Sequence, residues 1–204
     1  PRTYVDNTAG VFIKTALNVT VDDCYIHDIP NLIRQGSGKY DRYYPGTPTV
    51  YKCVFDRWGY DNGKYADQWH GLYLDGPNAS VIDCEFIDTY PGTFGIQCKL
   101  RCPNALIQGN IFRANTKAID VISSDCSAIH HILRDSNFFR SRVVGNVIVM
   151  GPNFAQSRMS LFGFDGSTSA EFSGSMRGPH YVHGNTIVAI RSPASSRTFM
   201  YMLR

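Results

Sequence analysis

Seven polar side chains fall close together in the middle of the sequence and could support acid–base chemistry. They lie in and beside three short segments that begin near residues 70, 95 and 118: His70, Tyr73, Asp75, Gln97, Lys99, Arg101 and Asp120. Cations bind the acid groups of a polysaccharide, and amide and carboxylate groups bind its hydroxyls. The set therefore favours an acidic polysaccharide as the partner.

The reaction that suits these residues is β-elimination at a uronate sugar. It needs a base that takes the proton next to the carboxylate, a cation that stabilises the developing charge, and an acid that protonates the leaving oxygen. Lys99 is the candidate base if Arg101 lowers its pKa. Arg101 is the candidate cation, and His70 or Tyr73 the acid. Ca²⁺ is a second candidate for the cation, although the sequence identifies no ligands for it.

Two aromatic-rich stretches, 40–44 and 58–69, precede His70 and could form one wall of the same groove. Exposed rings stack on sugars, which adds Trp69 and Tyr65 to the candidate substrate-binding residues. The other members of that group are Tyr73, Asp75, Gln97 and Asp120. Packing of the rings within their own loops is the alternative.

The charged residues of these strands also permit other interpretations. Asp75 and Lys99 could form an ordinary ion pair across two strands on a solvated face. The carboxylates of Asp83 and Glu85 could instead serve glycoside hydrolysis, although alternating polar positions in strands produce such pairs by default.

A repeated unit supplies the elements that must position these residues. A strand-like segment with Cys or Gly at its centre recurs six times, with the central residues at 24, 53, 84, 109, 145 and 184. A second segment, such as 71–75 or 95–99, follows most copies. We expect Cys24, Cys53, Cys84, Gly109, Gly145 and Gly184 to share one interior column, and Asn110, Asn146 and Asn185 to form a ladder at a coil corner.

Short strands joined by turns, with no amphipathic helix between them, predict a solenoid of stacked coils. In the second strands, Asp75 would lie beside Lys99 and Gln97 beside Asp120. Phe162, Phe164, Met200 and Met202 would occupy the same outward face in later coils. The main loop insertions are expected at 33–48, 58–69, 123–141 and 165–180.

The cysteines of the column, Cys24, Cys53 and Cys84, are interpreted as buried free thiols, which pack as small apolar side chains. A disulfide between neighbouring coils is the alternative, because the strand spacing fits the required distance between Cα atoms. Cys98 and Cys102 are expected to remain unbonded, and no spacing indicates a zinc site.

The repeated Gly-Asn-x-Ile/Phe strands, paired with Gly-Ile/Leu-x-apolar strands, resemble the pectate-lyase-like superfamily over residues 10–204. The resemblance implies an all-β, right-handed parallel β-helix of about six coils with loop insertions. The segment 95–110 is similar to the lysine strand of chondroitinase B/alginate lyase-type polysaccharide lyases, which implies that Lys99 is the base. The strand 118–122 lacks the arginine of that family, so Arg101 would have to replace it.

The composition excludes several classes of protein. The chain has 204 residues, 43% hydrophobic and 18% charged, and a net charge of +3. These values do not fit a disordered chain or a nucleic-acid-binding protein, and no apolar run is long enough for a membrane span. We expect one β-helix domain over 1–204, either a fragment or lacking its caps, at an extracellular, cell-surface or virion-surface location.

A non-catalytic alternative belongs to another functional class. A glycan-binding or structural module of the phage tailspike or adhesin kind would bind sugars or partner chains without chemistry. Such proteins form homo-oligomers, and the outward apolar side chains expected in the later coils would suit that assembly.

Overall fold

The computed structural model describes residues 9–13, 18–35, 47–59, 69–74, 78–89, 96–100, 104–114, 117–122, 141–150, 162–165, 181–189 and 200–202. These residues form strands and turns arranged as three sheets, in which every strand pair is parallel. The described segments contain no helix that is long and apolar enough to span a bilayer.

Sheet A has seven strands: β1 (Ala9–Ile13), β4 (Asn31–Gln35), β7 (Leu72–Leu74), β10 (Ile96–Leu100), β13 (Lys117–Ile122), β16 (Phe162–Asp165) and β19 (Met200–Met202). Sheet B has six: β2 (Thr20–Asp22), β5 (Thr49–Tyr51), β8 (Ser80–Ile82), β11 (Leu106–Gln108), β14 (Arg142–Val144) and β17 (Tyr181–His183). Sheet C also has six: β3 (Tyr25–Ile29), β6 (Val54–Trp58), β9 (Glu85–Phe86), β12 (Ile111–Ala114), β15 (Val147–Met150) and β18 (Thr186–Ala189).

The chain visits sheets B, C and A in turn, and each strand pairs with the strand three places later. This pattern is a parallel β-helix, because only coils stacked on one another bring every third strand into register. The prediction of an all-β parallel solenoid is confirmed. The repeat has three strands, however, because the predicted single strand around each Cys or Gly is two strands separated by a turn.

The turn between sheets B and C explains why that strand divides. One residue of each turn has a positive φ: Asp23, Lys52, Asp83, Gly109, Gly145 and Gly184, with values between 50° and 67°. Glycine adopts this conformation without steric cost, which accounts for its use in the last three turns. The predicted interior column is therefore wrong by one residue, since the glycines align with Asp23, Lys52 and Asp83 and not with the cysteines.

The residue after each of these turns forms a continuous buried or half-buried column: Cys24, Cys53, Cys84, Asn110, Asn146 and Asn185. The predicted asparagine ladder is confirmed. Oδ1 of Asn146 accepts the backbone N–H of Asn110 at 2.9 Å, and its Nδ2 donates to the carbonyl of Ile107 at 3.0 Å. Below the ladder, Oδ1 of Asn110 accepts the N–H of Cys84 at 2.8 Å.

The cysteines below the ladder continue the same column, but their thiols are weaker hydrogen-bond donors than the asparagine amides. The Cys53 thiol lies within hydrogen-bonding distance of the carbonyls of Val21 and Tyr51, at 3.4 and 3.3 Å, and its one hydrogen can be donated to either. Cys24, Cys53, Cys84 and Cys98 are all free thiols, as predicted. Burial raises the pKa of Cys98, and a hydrogen bond with Cys53, together with burial, raises that of Cys84. Cys102 lies outside the described residues.

The core is built from inward columns of like side chains. The rings of Phe55, Phe86 and Phe112 stack in sheet C at centroid separations of 5.0 and 4.6 Å. In sheet A, Leu72, Cys98 and Ile119 lie in register and are fully buried. Such stacks remove apolar surface from water along the whole axis of the solenoid, and this makes sheet A a stiff platform for its outward side chains.

The register of sheet A corrects two sequence-based expectations. Strand β4 (Asn31–Gln35) extends into the insertion predicted at 33–48, so the predicted start of that insertion at residue 33 is wrong. Lys99 pairs with Tyr73 on one side and with Asp120 on the other, and Asp120 therefore neighbours Lys99, not Gln97. In the later coils, Phe162 and Phe164 pair in register with Ile119 and Val121, and Met200 and Met202 pair with Phe162 and Phe164. Only this backbone register is described for the four residues, so their predicted outward orientation stays a prediction.

Candidate functional site

The outward positions of sheet A form one column across neighbouring coils, here called the sheet A column: Phe12, Arg34, Tyr73 and Lys99. Asp120 is the next residue in the backbone register. The members of the column alternate with buried residues along each strand, as expected for a half-buried strand. Phe12 is 45% exposed, whereas Arg34, Tyr73 and Lys99 are half-buried.

Three of the predicted site residues meet on this column. Nζ of Lys99 lies 3.3 Å from Nε2 of His70 and 5.1 Å from the centroid of the Tyr73 ring. The imidazole of His70 stacks on the same ring, with centroids 5.4 Å apart and planes 20° from parallel. A lysine, a histidine and a phenol are thus in mutual contact.

The Lys99–His70 contact limits how the two groups share protons. A hydrogen bond needs one donor and one acceptor, and two adjacent positive charges repel. When Nε2 of His70 is the acceptor, Lys99 donates an N–H to it, whether as an ammonium or as a neutral amine. A neutral amine in this arrangement keeps its lone pair for a proton on a bound molecule, and His70 stabilises the ammonium that forms.

His70 is held in place by the strands on either side of it. Its backbone N–H donates to Oδ1 of the buried Asn31 at 3.1 Å, and its side chain is itself buried. The following residue, Gly71, accepts hydrogen bonds from the backbone N–H groups of Leu32 and Ile33. A Cβ at position 71 would collide with the carbonyl of Gln97, so only glycine lets β7 approach β10 this closely.

Arg34 belongs to the column but was not predicted as a site residue. Its Cζ lies 5.7 Å from the Tyr73 ring centroid, so that Arg34 and Lys99 both contact this phenol. Nε of Arg34 is shielded from solvent and has no hydrogen-bond partner among the described residues. The repeat spacing carried a usable signal, because Ile33 follows Cys24 by nine residues, just as Ile119 follows Asn110. This spacing could have predicted a sheet A strand that includes Arg34.

Gln97 and Trp69 are buried and do not join the exposed column. Nε2 of Gln97 donates to the carbonyl of Arg113 at 2.9 Å, which ties β10 to β12. Within the described part of the chain, Oε1 of Gln97 and Nε1 of Trp69 have no hydrogen-bond partner. Burial of Trp69 agrees with the alternative that this ring packs within the structure.

Several predicted residues cannot be placed in the same way. Arg101, Asp75 and Tyr65 lie outside the described residues, and for Asp120 only the backbone register is described. In the described ranges, no group of three or more His, Cys, Asp or Glu side chains could hold a metal ion. Glu85, considered above for glycoside hydrolysis, is paired with Arg113 at 3.1 Å.

A second polar group lies on the first two strands of sheet C and is here called the sheet C cluster: Tyr25, His27, Asp28, Asp56 and Arg57. The Tyr25 hydroxyl donates to Asp56 at 2.9 Å, and Arg57 bonds both carboxylates. His27 lies 2.6 Å from Asp28. Asp28 and Arg57 have φ values of 56° and 45°, so their ion pair fixes a strained corner of the coil.

Comparison with known proteins supports the fold. A family model described as "Right handed beta helix region" matches residues 3–158, which is more than half of the chain. That description states a fold and no activity. No curated protein and no solved structure matches the chain.

Proposed function

The chain belongs to the right-handed β-helix family, and we propose that it is a carbohydrate-active member, a polysaccharide lyase that cleaves a uronate-containing glycan by β-elimination. The proposed location is extracellular, on a cell surface or on a virion surface, where such glycans occur. The sheet A column is the proposed site, with Lys99 and Tyr73 as catalytic residues.

The contact among Lys99, His70 and Tyr73 carries this proposal. β-Elimination needs a base that takes the proton and an acid that protonates the leaving oxygen, and the site offers an amine and a phenol in contact with each other. Their closeness suits syn elimination, in which both groups act on one face of the sugar ring. The rigid stack of buried residues beneath the column holds both groups in place, which reduces the entropy lost on reaching the reactive arrangement.

In the proposed reaction, the neutral amine of Lys99 takes the proton from the carbon next to the carboxylate. The electron pair of that C–H bond forms a carbon–carbon double bond as the bond to the glycosidic oxygen breaks. The hydroxyl of Tyr73 donates its proton to that leaving oxygen. His70 accepts an N–H from Lys99 throughout, and both His70 and the face of the Tyr73 ring stabilise the new ammonium.

Ultraviolet absorbance of the conjugated unsaturated uronate tests the proposal. The protein is incubated with alginate, chondroitin/dermatan sulfate and polygalacturonate, with and without Ca²⁺. We expect absorbance to rise on at least one substrate and Lys99→Met to reduce kcat by about 10²–10⁴-fold, which is the usual contribution of a general base.

Lys52 provides a matched control, because its Nζ lies 4.8 Å from the ring centroid of Tyr51 on another sheet. Lys52→Met should leave kcat unchanged. Equal losses in the two variants would assign the effect to general charge, and an absorbance rise that persists in Lys99→Met would remove Lys99 from the role of base. No rise on any substrate would contradict the lyase.

A non-catalytic glycan-binding module remains the second candidate, and the exposed ring of Phe12 at one end of the column favours it. Phe12, Arg34, Tyr73 and Lys99 offer alternating aromatic and cationic surfaces, a composition suited to binding acidic sugars without chemistry. Binding of the same glycans with no unsaturated product would select this function.

A further inference from the structure

We infer that Arg34 binds the carboxylate of the acidic sugar on the sheet A column, and that it thereby sets the preference for a uronate over a neutral sugar. The inference deepens the proposed function and rests on the same site. It transfers to Arg34 the charge-neutralising role that the sequence suggested for Arg101.

The first support is a difference among the arginines in whether a carboxylate of the protein pairs with them. On sheet C, Arg57 bonds Asp28 and Asp56, and Arg113 bonds Glu85 at 3.1 Å. Arg34 forms no ion pair and no hydrogen bond with any residue in the described ranges, and its Nε is buried. A buried donor without a partner lowers stability, and a bound carboxylate would supply the missing counter-charge.

The second support is the position of Arg34 relative to the reacting groups. Arg34 and Lys99 are two strands apart, about 9–10 Å between backbones, with Tyr73 between them in register. Their charged ends lie 5.7 and 5.1 Å from the centroid of the one phenol ring. A single sugar ring above Tyr73 can therefore contact both cations.

The third support is the different chemistry of the two cations. A planar guanidinium donates two parallel hydrogen bonds to a planar carboxylate, whereas an amine is a point charge that can also lose its proton. Neutralising the carboxylate at Arg34 makes the adjacent C–H more acidic, and Lys99 is the nearby base that would take that proton. The two roles match the two side-chain types.

Calorimetric titration tests the inference with defined probes. These are hexasaccharides of alginate, polygalacturonate and chondroitin sulfate, each paired with its carboxyl-reduced counterpart. We expect the wild-type protein to bind at least one acidic hexasaccharide about 10- to 100-fold more tightly than its reduced form, the range for hydrogen bonds to a charged group. In Arg34→Gln this ratio should fall to near 1.

Matched variants keep the result interpretable. Arg113→Gln removes an arginine that already has a carboxylate partner, and it should preserve the wild-type ratio. Arg34→Lys should restore part of it, which excludes misfolding of Arg34→Gln as the cause. An unchanged ratio in Arg34→Gln, or no preference for any acidic probe in the wild-type protein, would overturn the inference.

The same samples separate this inference from the lyase itself. A preference that depends on Arg34, with no unsaturated product from the wild-type protein, supports the carboxylate-binding role and contradicts the lyase. An unsaturated product formed with an unchanged KM in Arg34→Gln supports the lyase and contradicts the role of Arg34.

Discussion

The sheet A column and the sheet C cluster are built from similar side chains but compensate their charges differently. In the sheet C cluster, Arg57 lies between two aspartates, and the hydroxyl of Tyr25 donates to one of them. On sheet A, the ring of Tyr73 contacts Lys99, His70 and Arg34. Arg34 has no carboxylate partner in the part of the chain that the structure describes.

This difference separates a structural network from a candidate site. Asp28 raises the pKa of Arg57 through its hydrogen bond, so the sheet C arginine is stabilised by the protein's own anions. Its ion pair also holds two residues at positive φ where the coil turns. Within the described ranges, Arg34 on sheet A pairs with no carboxylate and contacts no residue at positive φ. A ligand anion would provide for Arg34 what Asp28 and Asp56 provide for Arg57.

The largest expected effect comes from removing the hydroxyl of Tyr73 on the sheet A column. Tyr73→Phe keeps the ring that contacts His70, Lys99 and Arg34 but deletes the proposed acid. We expect kcat on the cleaved glycan to fall by about 10²–10⁴-fold while KM changes little, because the acid acts only in the transition state. Steady-state kinetics from the absorbance assay measure both parameters.

Tyr25→Phe is the matched control, since it also removes a phenol hydroxyl, and it should leave kcat unchanged. If Tyr73→Phe retains full activity, the acid is another group, and His70 becomes the candidate to test next. If both variants lose activity equally, the two surfaces do not differ in function.

A new carboxylate on sheet A should make that surface resemble sheet C. Phe12 lies in register with Arg34 and is 45% exposed, so Phe12→Glu places an anion beside the arginine. The added glutamate would compete with a bound uronate, and we expect the affinity for the acidic hexasaccharides to fall by about 10-fold. Titration of both Phe12→Glu and Phe12→Gln separates the charge from the loss of the ring. A loss of affinity that is equal in the two variants would contradict an unpaired Arg34 as the binding group.

The sequence predicted the strands, the parallel solenoid and the proximity of His70, Tyr73 and Lys99, because alternation and repeat spacing survive in the primary structure. It did not reveal the turn register, because Asp23, Lys52 and Asp83 adopt a positive φ that glycine adopts elsewhere. The sequence alignment of the repeats therefore matched the three glycines with the cysteines, whereas in the structure they match Asp23, Lys52 and Asp83. Arg34 was missed because β4 is buried at four of its five positions and shows little alternation.

The smallest expected effect is a loss of stability when the negative charge of Asp56 is removed from the sheet C cluster. Asp56, whose side chain is only 9% exposed, accepts hydrogen bonds from Tyr25 and Arg57. Asp56→Asn removes the negative charge with little change of shape. It should lower the free energy of unfolding by about 1 kcal/mol and leave turnover unchanged. Urea denaturation measures the first quantity and the absorbance assay the second.

The pH dependence of that loss gives the sharper test. Donation to Asp56 raises the pKa of Tyr25 above its usual value of 10.0, so its contribution to stability is complete below pH 10.0 and disappears as the pH rises through the higher folded-state value. The stability difference between the wild-type protein and Asp56→Asn should therefore be constant from neutral pH to pH 10.0 and narrow above it. NMR titration of the Tyr25 ring should show a lower pKa in the variant. A pKa that does not move would contradict Asp56 as the cause of the raised pKa, and a loss of turnover in Asp56→Asn would show that the sheet C cluster is more than a structural network.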